Sequence, residues 1–281
     1  MIRTWTIETM LPKPKQWSTE YATIFKEESV VSAYSYRPPY PSQLFGVLLS
    51  LLPDSAGPKV VLDACCGPGN IARSFVQWVD RVDAVDFSAA MIRKGRLLPG
   101  GDEPKLHWIC SPIETAPLQP TYSLIIAAAS LHWMDWPVVL PRFADHLAPG
   151  GYLAMVEETH QPQPWDKEIG ALLARFSMNR NFEPYNLMTI AHELALRGLF
   201  EVASQREVEP VPFRQSIAEW VESVHARNGF SRERMDPNAA HECDAELERV
   251  LAQYCPGGVV EQQVGARVLW GKPLCPPDAA A

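Results

Sequence analysis

The sequence has no apolar run that approaches the roughly 20 residues of a membrane-spanning helix. Residues 1–15 mix charges with two prolines and contain no continuous apolar stretch, so we do not expect a secretory signal peptide. None of the six cysteines forms a Cys-x-x-Cys pair, and no cysteine and histidine cluster has the spacing of a zinc site. These absences predict a cytoplasmic protein with free thiols, no membrane partner and no metal.

Positive charge is also scarce, since 25 lysines and arginines stand against 33 acidic residues and give a net charge of −8. The chain as a whole therefore lacks the positive field with which proteins hold nucleic acid, and we expect no nucleic-acid partner. Hydrophobic residues make up 47% and charged residues 21% of the chain, which is typical of a globular protein. A length of 281 residues fits one large domain, or one domain with a substantial insertion.

Strands and helices alternate along the middle of the chain. Apolar segments predict strands at residues 59–63, 82–86, 106–110, 124–129 and 152–157, and periodic segments between them predict helices at 70–79, 88–98 and 137–147. This order indicates a doubly wound parallel sheet. Later segments predict helices at 165–178, 185–197, 216–227 and 236–254, with strands at 201–213 and 259–270.

The most informative stretch surrounds the first strand, which ends in Asp63 and leads through Gly67-Pro68-Gly69 into a helix. The spacing Gly-x-Gly-x-x-Ala also fits the fingerprint of dinucleotide-binding proteins. Asp63 argues against that ligand, because a carboxylate beside a pyrophosphate costs about 1–4 kcal/mol. A cationic ligand without phosphate, such as S-adenosylmethionine, would be attracted instead.

A second acid, Asp86, ends the second strand and is followed by Phe87. A carboxylate at this place can accept hydrogen bonds from both hydroxyls of a ribose. The neighbouring aromatic ring can pack on an adenine face. Two acids at consecutive strand ends beside a glycine turn therefore predict a nucleoside site.

With these motifs the chain resembles the class I S-adenosylmethionine-dependent methyltransferases from about residue 36 to residue 270. Asp63 to Gly69 is similar to the family's first motif, with Cys65 where glycine is common, and Asp86 matches its ribose-binding acid. The segment from Tyr36 to Pro41 resembles one found in a small-molecule branch that includes trans-aconitate and malonyl-carrier-protein methyltransferases.

The resemblance implies a Rossmann-like, mostly parallel sheet of seven strands with a helical cap inserted after strands five and six. It divides the chain into a helical lead-in and lid (1–56), an S-adenosylmethionine-binding core (57–160), and the rest of the sheet with the cap (161–281). The cofactor would be S-adenosylmethionine and the product S-adenosylhomocysteine. The residues implied to bind it are Arg37, Tyr40, Asp63, Ala64, Cys65, Gly67, Gly69, Asn70, Asp86, Phe87, Met91, Pro112, Ile113, Glu114 and Ala128.

His132 follows the fourth strand, where this fold places groups near the transferred methyl group, so it is a candidate general base or a donor that orients the acceptor. The alternative is a histidine that packs under the cofactor. Trp133, Tyr185, His225 and Asn228 are candidate substrate contacts.

We expect a small-molecule methyltransferase that acts on a metabolite or natural-product intermediate at oxygen, carbon or nitrogen, as a monomer or homodimer. Three alternatives stay open at this point. They are a nucleic-acid or protein methyltransferase, a dinucleotide-dependent oxidoreductase, and a fold that binds S-adenosylmethionine without methylating.

Overall fold

A computed structural model describes residues 13, 17, 19–54, 57–180 and 186–275. Its described residues form one sheet from seven strands: β1 Val60–Ala64, β2 Arg81–Asp86, β3 Leu106–Cys110, β4 Tyr122–Ala128, β5 Leu147–His160, β6 Phe200–Ser216 and β7 Val259–Pro273. The strand order is β3-β2-β1-β4-β5-β7-β6. Strands β1 to β5 run parallel, and β7 is antiparallel to both β5 and β6.

Helices cover both faces of this sheet. The α-helices are α1 Thr19–Ala22, α2 Glu28–Ala33, α3 Gln43–Leu49, α4 Ala72–Phe75, α5 Ala89–Leu97, α6 Trp136–His146, α7 Asp166–Phe176, α8 Leu187–Leu196, α9 Ile217–Val224 and α10 Pro237–Tyr254. Short 3-10 helices lie at Thr23–Lys26, Tyr34–Tyr36, Val76–Trp78 and Leu131–Trp133. In the part of the chain that the structure describes, no helix is long and apolar enough to span a bilayer.

Strand β4 explains why the centre of the sheet is stable, because its side chains are apolar on both faces. Leu124, Ile125 and Ile126 are fully buried, which is typical of a central parallel strand covered by helices on each side. Ile125 belongs to the apolar cluster on one face and Leu124 to the cluster on the other. The chain reverses its winding direction between β1 and β4, and ligands bind at the carboxyl ends of strands at such a point.

A separate apolar cluster holds the cap together. Helices α7, α9 and α10 meet through Trp165, Trp220, Leu247 and Leu251, which are all buried. The cap lies after β5 and β6 in the chain. The predicted seven-stranded, mostly parallel sheet with a helical cap is thereby confirmed.

Several predicted boundaries were displaced by a few residues. The helix predicted at 70–79 is only α4, Ala72–Phe75, followed by the 3-10 helix Val76–Trp78. The fifth strand begins at Leu147 rather than at residue 152, so the Pro149-Gly150-Gly151 sequence lies inside β5. Gly150 has φ of +84°, which lets the chain turn there at little steric cost.

Candidate active site

The glycine turn after β1 is fastened to the end of β2. The amide of Cys66 donates to the carbonyl of Val85 at 2.9 Å, and the amide of Gly67 donates to the Asp86 carboxylate at 2.8 Å. Gly67 has φ of +55°, and Cys65 also takes a left-handed φ, of +56°. A non-glycine residue in that region costs roughly 1–2 kcal/mol, so the turn holds Cys65 in a strained conformation at the candidate site.

Gly69 is required by packing. It has φ of +75°, and a Cβ atom placed there would lie 2.5 Å from the indole ring of Trp108. That ring is fixed by a 2.9 Å hydrogen bond from its Nε1 to the carbonyl of Gly101. The lack of a side chain at Gly69 therefore allows the turn to pack closely against Trp108 of β3.

Asp86 lies at the wall of a cavity above the sheet and is only 5% exposed. Its Oδ2 accepts from the Gly67 amide at 2.8 Å and its Oδ1 accepts from the Ser88 amide at 2.7 Å. Burial raises the pKa of Asp86 to about 6, although both amide hydrogen bonds favour the charged form. Each carboxylate oxygen has a second lone pair, so the group can still accept two more hydrogen bonds.

Asp63 lies behind this wall and does not line the cavity. It is 1% exposed, and its Oδ2 accepts from the amide of Ala72, the first residue of α4, at 3.0 Å. Burial raises the pKa of Asp63 to about 7; the Ala72 amide opposes this and the charge of Asp86 adds to it. Asp63 therefore holds the turn against the helix that follows it.

The first cavity, of about 310 Å³, brings most of the predicted cofactor residues together. Asp63, Ala64 and Gly69 do not line it, whereas Trp133, predicted as a substrate contact, does. The predicted cofactor residues on its wall are Arg37, Tyr40, Cys65, Gly67, Asn70, Asp86, Phe87, Met91, Pro112, Ile113, Glu114 and Ala128.

The segment 22–36, within the predicted lead-in and lid (1–56), contributes a roof to this cavity, and its lining residues were not predicted. Phe25, Lys26 and Tyr34 line the cavity from above. The Phe25 ring lies 5.9 Å from that of Trp133, and the Lys26 ammonium lies 5.0 Å from the centre of the Phe87 ring. The aromatic residues near the N-terminus were the only sequence signal for these lining residues. No local sequence pattern indicates that they lie close to the glycine turn.

Ion pairs and hydrogen bonds fasten this roof to the cap. Arg234, in the loop after α9, contacts the Glu27 carboxylate at 2.5 Å and donates to the Thr23 hydroxyl at 2.7 Å. The amide of Ser29 donates to Glu233 at 2.8 Å. The roof therefore cannot lift without separating charged groups from the cap.

A second cavity, of about 370 Å³, lies next to the first and shares part of its wall. The residues common to both are Arg37, Pro38, Ala129, Ser130 and Glu158. Apolar side chains from the sheet, from α8 and from the cap line much of the rest: Met155, Val156, Leu187, Ile190 and Trp220. Its polar lining includes His132, His160, Gln215, Ser223, Arg227 and Gln262.

Glu158, at the end of β5, is the acidic group of the shared wall. Its side chain is 12% exposed and lies 2.7 Å from Nε2 of His160. Burial favours the neutral acid, but the hydrogen bond with His160 and the charges of Arg37, His160 and Arg227 outweigh it and lower the pKa of Glu158. Glu158 is therefore ionised at neutral pH.

Arg37 is the basic group of the same wall. Its Nη1 lies 3.4 Å from the Tyr34 hydroxyl, and its guanidinium lies 5.3 Å from the centre of the Tyr34 ring. Burial opposes its charge, but Tyr34, Glu158 and Tyr40 outweigh burial and raise the pKa of Arg37. The wall shared by the two cavities thus carries a positive charge on Arg37 and a negative charge on Glu158 at neutral pH.

His132 lines the second cavity and is 5% exposed. Burial, with a smaller effect of the Lys13 charge, lowers the pKa of His132 to about 3. The imidazole is neutral at pH 7, but a group with so low a pKa is a weak proton acceptor. Its ring centroid lies 4.4 Å from that of Trp133.

His225 and Asn228 line neither cavity. His225 is fully buried, with Nδ1 at 2.7 Å from the Phe230 carbonyl and Nε2 at 2.7 Å from Asp244. It therefore fixes the loop after α9. Arg227, in the same loop, does line the second cavity, and the candidate Tyr185 lies outside the described residues.

Comparisons with known proteins agree with this geometry. Residues 61–151 match a family described as a methyltransferase domain. The chain is 30% identical over 181 residues to a trans-aconitate 2-methyltransferase of Azoarcus sp. (strain BH72), covering 59% of this chain and 68% of that one. It is 33% identical over 225 residues to a trans-aconitate 2-methyltransferase of Variovorax paradoxus, covering 73% and 81%.

Among solved structures, a protein from Anaeromyxobacter dehalogenans assigned as a type II methyltransferase has the same fold. The TM-score is 0.61 and the sequence identity 22%, over 84% of this chain and 97% of that chain.

Proposed function

Because the chain belongs to the class I S-adenosylmethionine-dependent methyltransferases, we propose that its first cavity binds S-adenosylmethionine and its second binds a small-molecule acceptor. One observation carries this proposal. The two cavities share the wall formed by Arg37, Pro38, Ala129, Ser130 and Glu158, so two ligands would meet there.

The chemistry of the first cavity fits the cofactor. Asp86 keeps two acceptor positions for a ribose diol, while Phe87, Met91 and Ile113 offer apolar surface to a flat ring. Among its described lining residues the only cations are Lys26 and Arg37, and both contact aromatic rings. This lining favours a ligand without phosphate over a dinucleotide.

The bound cofactor supplies a methyl group on a sulfonium; the acceptor atom bonds to that carbon as the carbon–sulfur bond breaks, and a neutral thioether leaves. The protein therefore has no leaving group to protonate. Its main contribution is alignment, which can supply roughly 7–11 kcal/mol.

Glu158 and His132 are two groups of the second cavity that can receive a proton from an acceptor hydroxyl or amine. We favour Glu158, because it lies on the wall shared by the two cavities, whereas His132 lines only the second cavity. The proposal covers oxygen, carbon and nitrogen acceptors. An acceptor that is already ionised, such as a carboxylate, would not need either group.

The size of the second cavity supports a small acceptor. Ligand cavities in proteins span roughly 300–1,000 Å³, and this one has about 370 Å³. The net charge of −8 also disfavours a nucleic-acid acceptor.

Calorimetric titration of the purified protein with S-adenosylhomocysteine and, separately, with NADH tests the cofactor. We expect binding of the first and none of the second. Methyl transfer from S-adenosylmethionine to a panel of small acids, phenols, amines and terpenoid precursors, followed by mass spectrometry, then tests the activity. Binding of NADH without S-adenosylhomocysteine would refute the proposal.

A further inference from the structure

Two glutamine side chains line the second cavity without a hydrogen-bond partner of their own. They are Gln215, close to the end of β6, and Gln262, on β7. Within residues 13, 17, 19–54, 57–180 and 186–275, the structure shows no hydrogen bond to either side-chain amide. Gln215 is only 8% exposed. Because a buried amide without a partner costs free energy, a ligand that pairs with it recovers that cost.

The pairing of β6 with β7 brings these two amides to the same place. Gln215 lies opposite Val260, and Gln262 lies opposite Phe213. Side chains alternate between the faces of a strand, so Gln215 and Gln262 share one face of the sheet. Diagonal neighbours of this kind are roughly 7–8 Å apart, which long side chains can span. One ligand group can therefore contact both amides.

The glutamines lie away from the cofactor cavity, at the opposite end of the second cavity from its shared wall. Glu158 of that wall pairs with Ala266 of β7. Gln262 is four positions further along β7, or about 13 Å at the usual rise of a strand. Arg37 lies on the same wall as Glu158, and both interact electrostatically with Arg227. Neither glutamine lines the first cavity.

The other polar side chains of this lining are engaged within the protein. Glu158 lies 2.7 Å from Nε2 of His160, and Glu157 lies 3.4 Å from Arg267. The hydroxyl of Ser223 donates to a backbone carbonyl of its own helix at 2.6 Å. The two glutamines therefore offer a ligand neutral donors and acceptors that are not already used.

We propose that Gln215 and Gln262 form a specificity subsite that binds a neutral amide group of the acceptor, at the end of the molecule that does not react. Each glutamine presents a carbonyl acceptor and an NH2 donor, and a carboxamide presents the complementary pair. A carboxylate would leave the glutamine carbonyls without a donor, and an ammonium would leave the NH2 groups without an acceptor. This inference rests on the proposed function, since it concerns the acceptor of that reaction.

The test uses the full chain saturated with S-adenosylhomocysteine and three probes with the same alkyl chain: octanamide, octanoate and octylammonium. In ¹⁵N NMR spectra, octanamide should shift the side-chain NH2 signals of both Gln215 and Gln262. In Gln215→Leu the Kd of octanamide should rise about 5- to 100-fold, as for loss of two neutral hydrogen bonds. Gln262→Leu should show a loss in the same range. The affinities of octanoate and octylammonium should stay unchanged in both variants.

Gln263→Leu is the matched control. Gln263 follows Gln262 on β7, so its side chain points to the other face of the sheet, and it lines neither cavity. Its octanamide affinity should equal that of the wild type. Each variant should also keep its affinity for S-adenosylhomocysteine, which shows that the variant is folded.

Three results would overturn the inference while leaving the cofactor site intact. They are the absence of an octanamide-induced shift at either glutamine, full octanamide affinity in the Leu variants, and a loss of octanoate affinity in those variants as large as that of octanamide. Failure of the wild type to bind S-adenosylhomocysteine would instead refute the proposed function, and this inference with it.

Discussion

Replacement of Asp86 by asparagine removes charge from the candidate ribose site with almost no change in shape. In the wild type, Oδ1 and Oδ2 accept from the amides of Ser88 and Gly67 at 2.7 and 2.8 Å. In Asp86→Asn one of these oxygens becomes an NH2 group that faces an N–H donor. The lost acceptor should lower the free energy of unfolding by about 1–3 kcal/mol.

The Asp86→Asn variant should also bind the cofactor more weakly, for a reason that is independent of its lower stability. The variant keeps one oxygen for the ribose diol and loses the charge that strengthens both hydrogen bonds. We expect S-adenosylhomocysteine binding to weaken by about 1.5–3 kcal/mol, or roughly 10- to 150-fold in Kd, measured by calorimetry near pH 8.

Asp83→Asn provides the matched control. Asp83 lies on the same strand, is fully buried, and accepts from Arg81 at 2.7 Å and from the Tyr122 hydroxyl at 2.8 Å, but it does not line the cavity. It should lose stability without losing cofactor affinity. If Asp86→Asn binds as well as the wild type, or if both variants lose equal affinity, the ribose role of Asp86 is wrong.

Further outcomes follow from the same geometry. Because burial raises the pKa of Asp86 to about 6, the carboxylate is ionised above that pH and neutral below it. S-adenosylhomocysteine affinity, followed by calorimetry, should therefore fall by up to about tenfold per pH unit below about pH 6, and a flat profile would contradict this. Glu158→Gln should lower turnover of an acceptor that loses a proton about 10²- to 10⁴-fold, with the affinity for S-adenosylhomocysteine unchanged. His132→Asn should cost less than about tenfold, and the reverse ranking would restore the histidine as base. Gly69→Ala should lower the free energy of unfolding by more than about 2 kcal/mol in urea titrations, because it meets an indole ring at a positive φ. Gly46→Ala, with nothing within 4 Å, should be neutral or stabilising.

The sheet could be predicted because its signals are local. Apolar strands ending in Asp63 and Asp86, with a glycine turn between them, specify the order of elements and place a polar site at one edge. Strand order alone does not give the direction in which each terminal side chain points. The Asp63 carboxylate binds the Ala72 amide and stays behind the wall, whereas Asp86 reaches the cavity.

The remaining site residues depend on contacts between distant parts of the chain. Phe25, Glu158 and Arg227 lie far apart in sequence, and they reach the two adjoining cavities only when the roof, the sheet and the cap assemble. Glu158 could have been found, because it too is an acid near the end of a parallel strand. The low pKa of His132 could not, since it arises from tertiary burial and from Lys13.

The position of β7 between β5 and β6 affects the order in which the chain can fold during synthesis. Strand β6 pairs with β7 and not with β5, so its 17 residues have no sheet neighbour until residues 259–273 leave the ribosome. Until then both β5 and β6 expose unpaired backbone groups, which invite pairing with other chains. Ribosome stalling or proteolysis just before Val259 would therefore leave a sheet that lacks β7 and has β6 unpaired, and such a chain would be prone to aggregation. Every residue of the glycine turn would already have been synthesised.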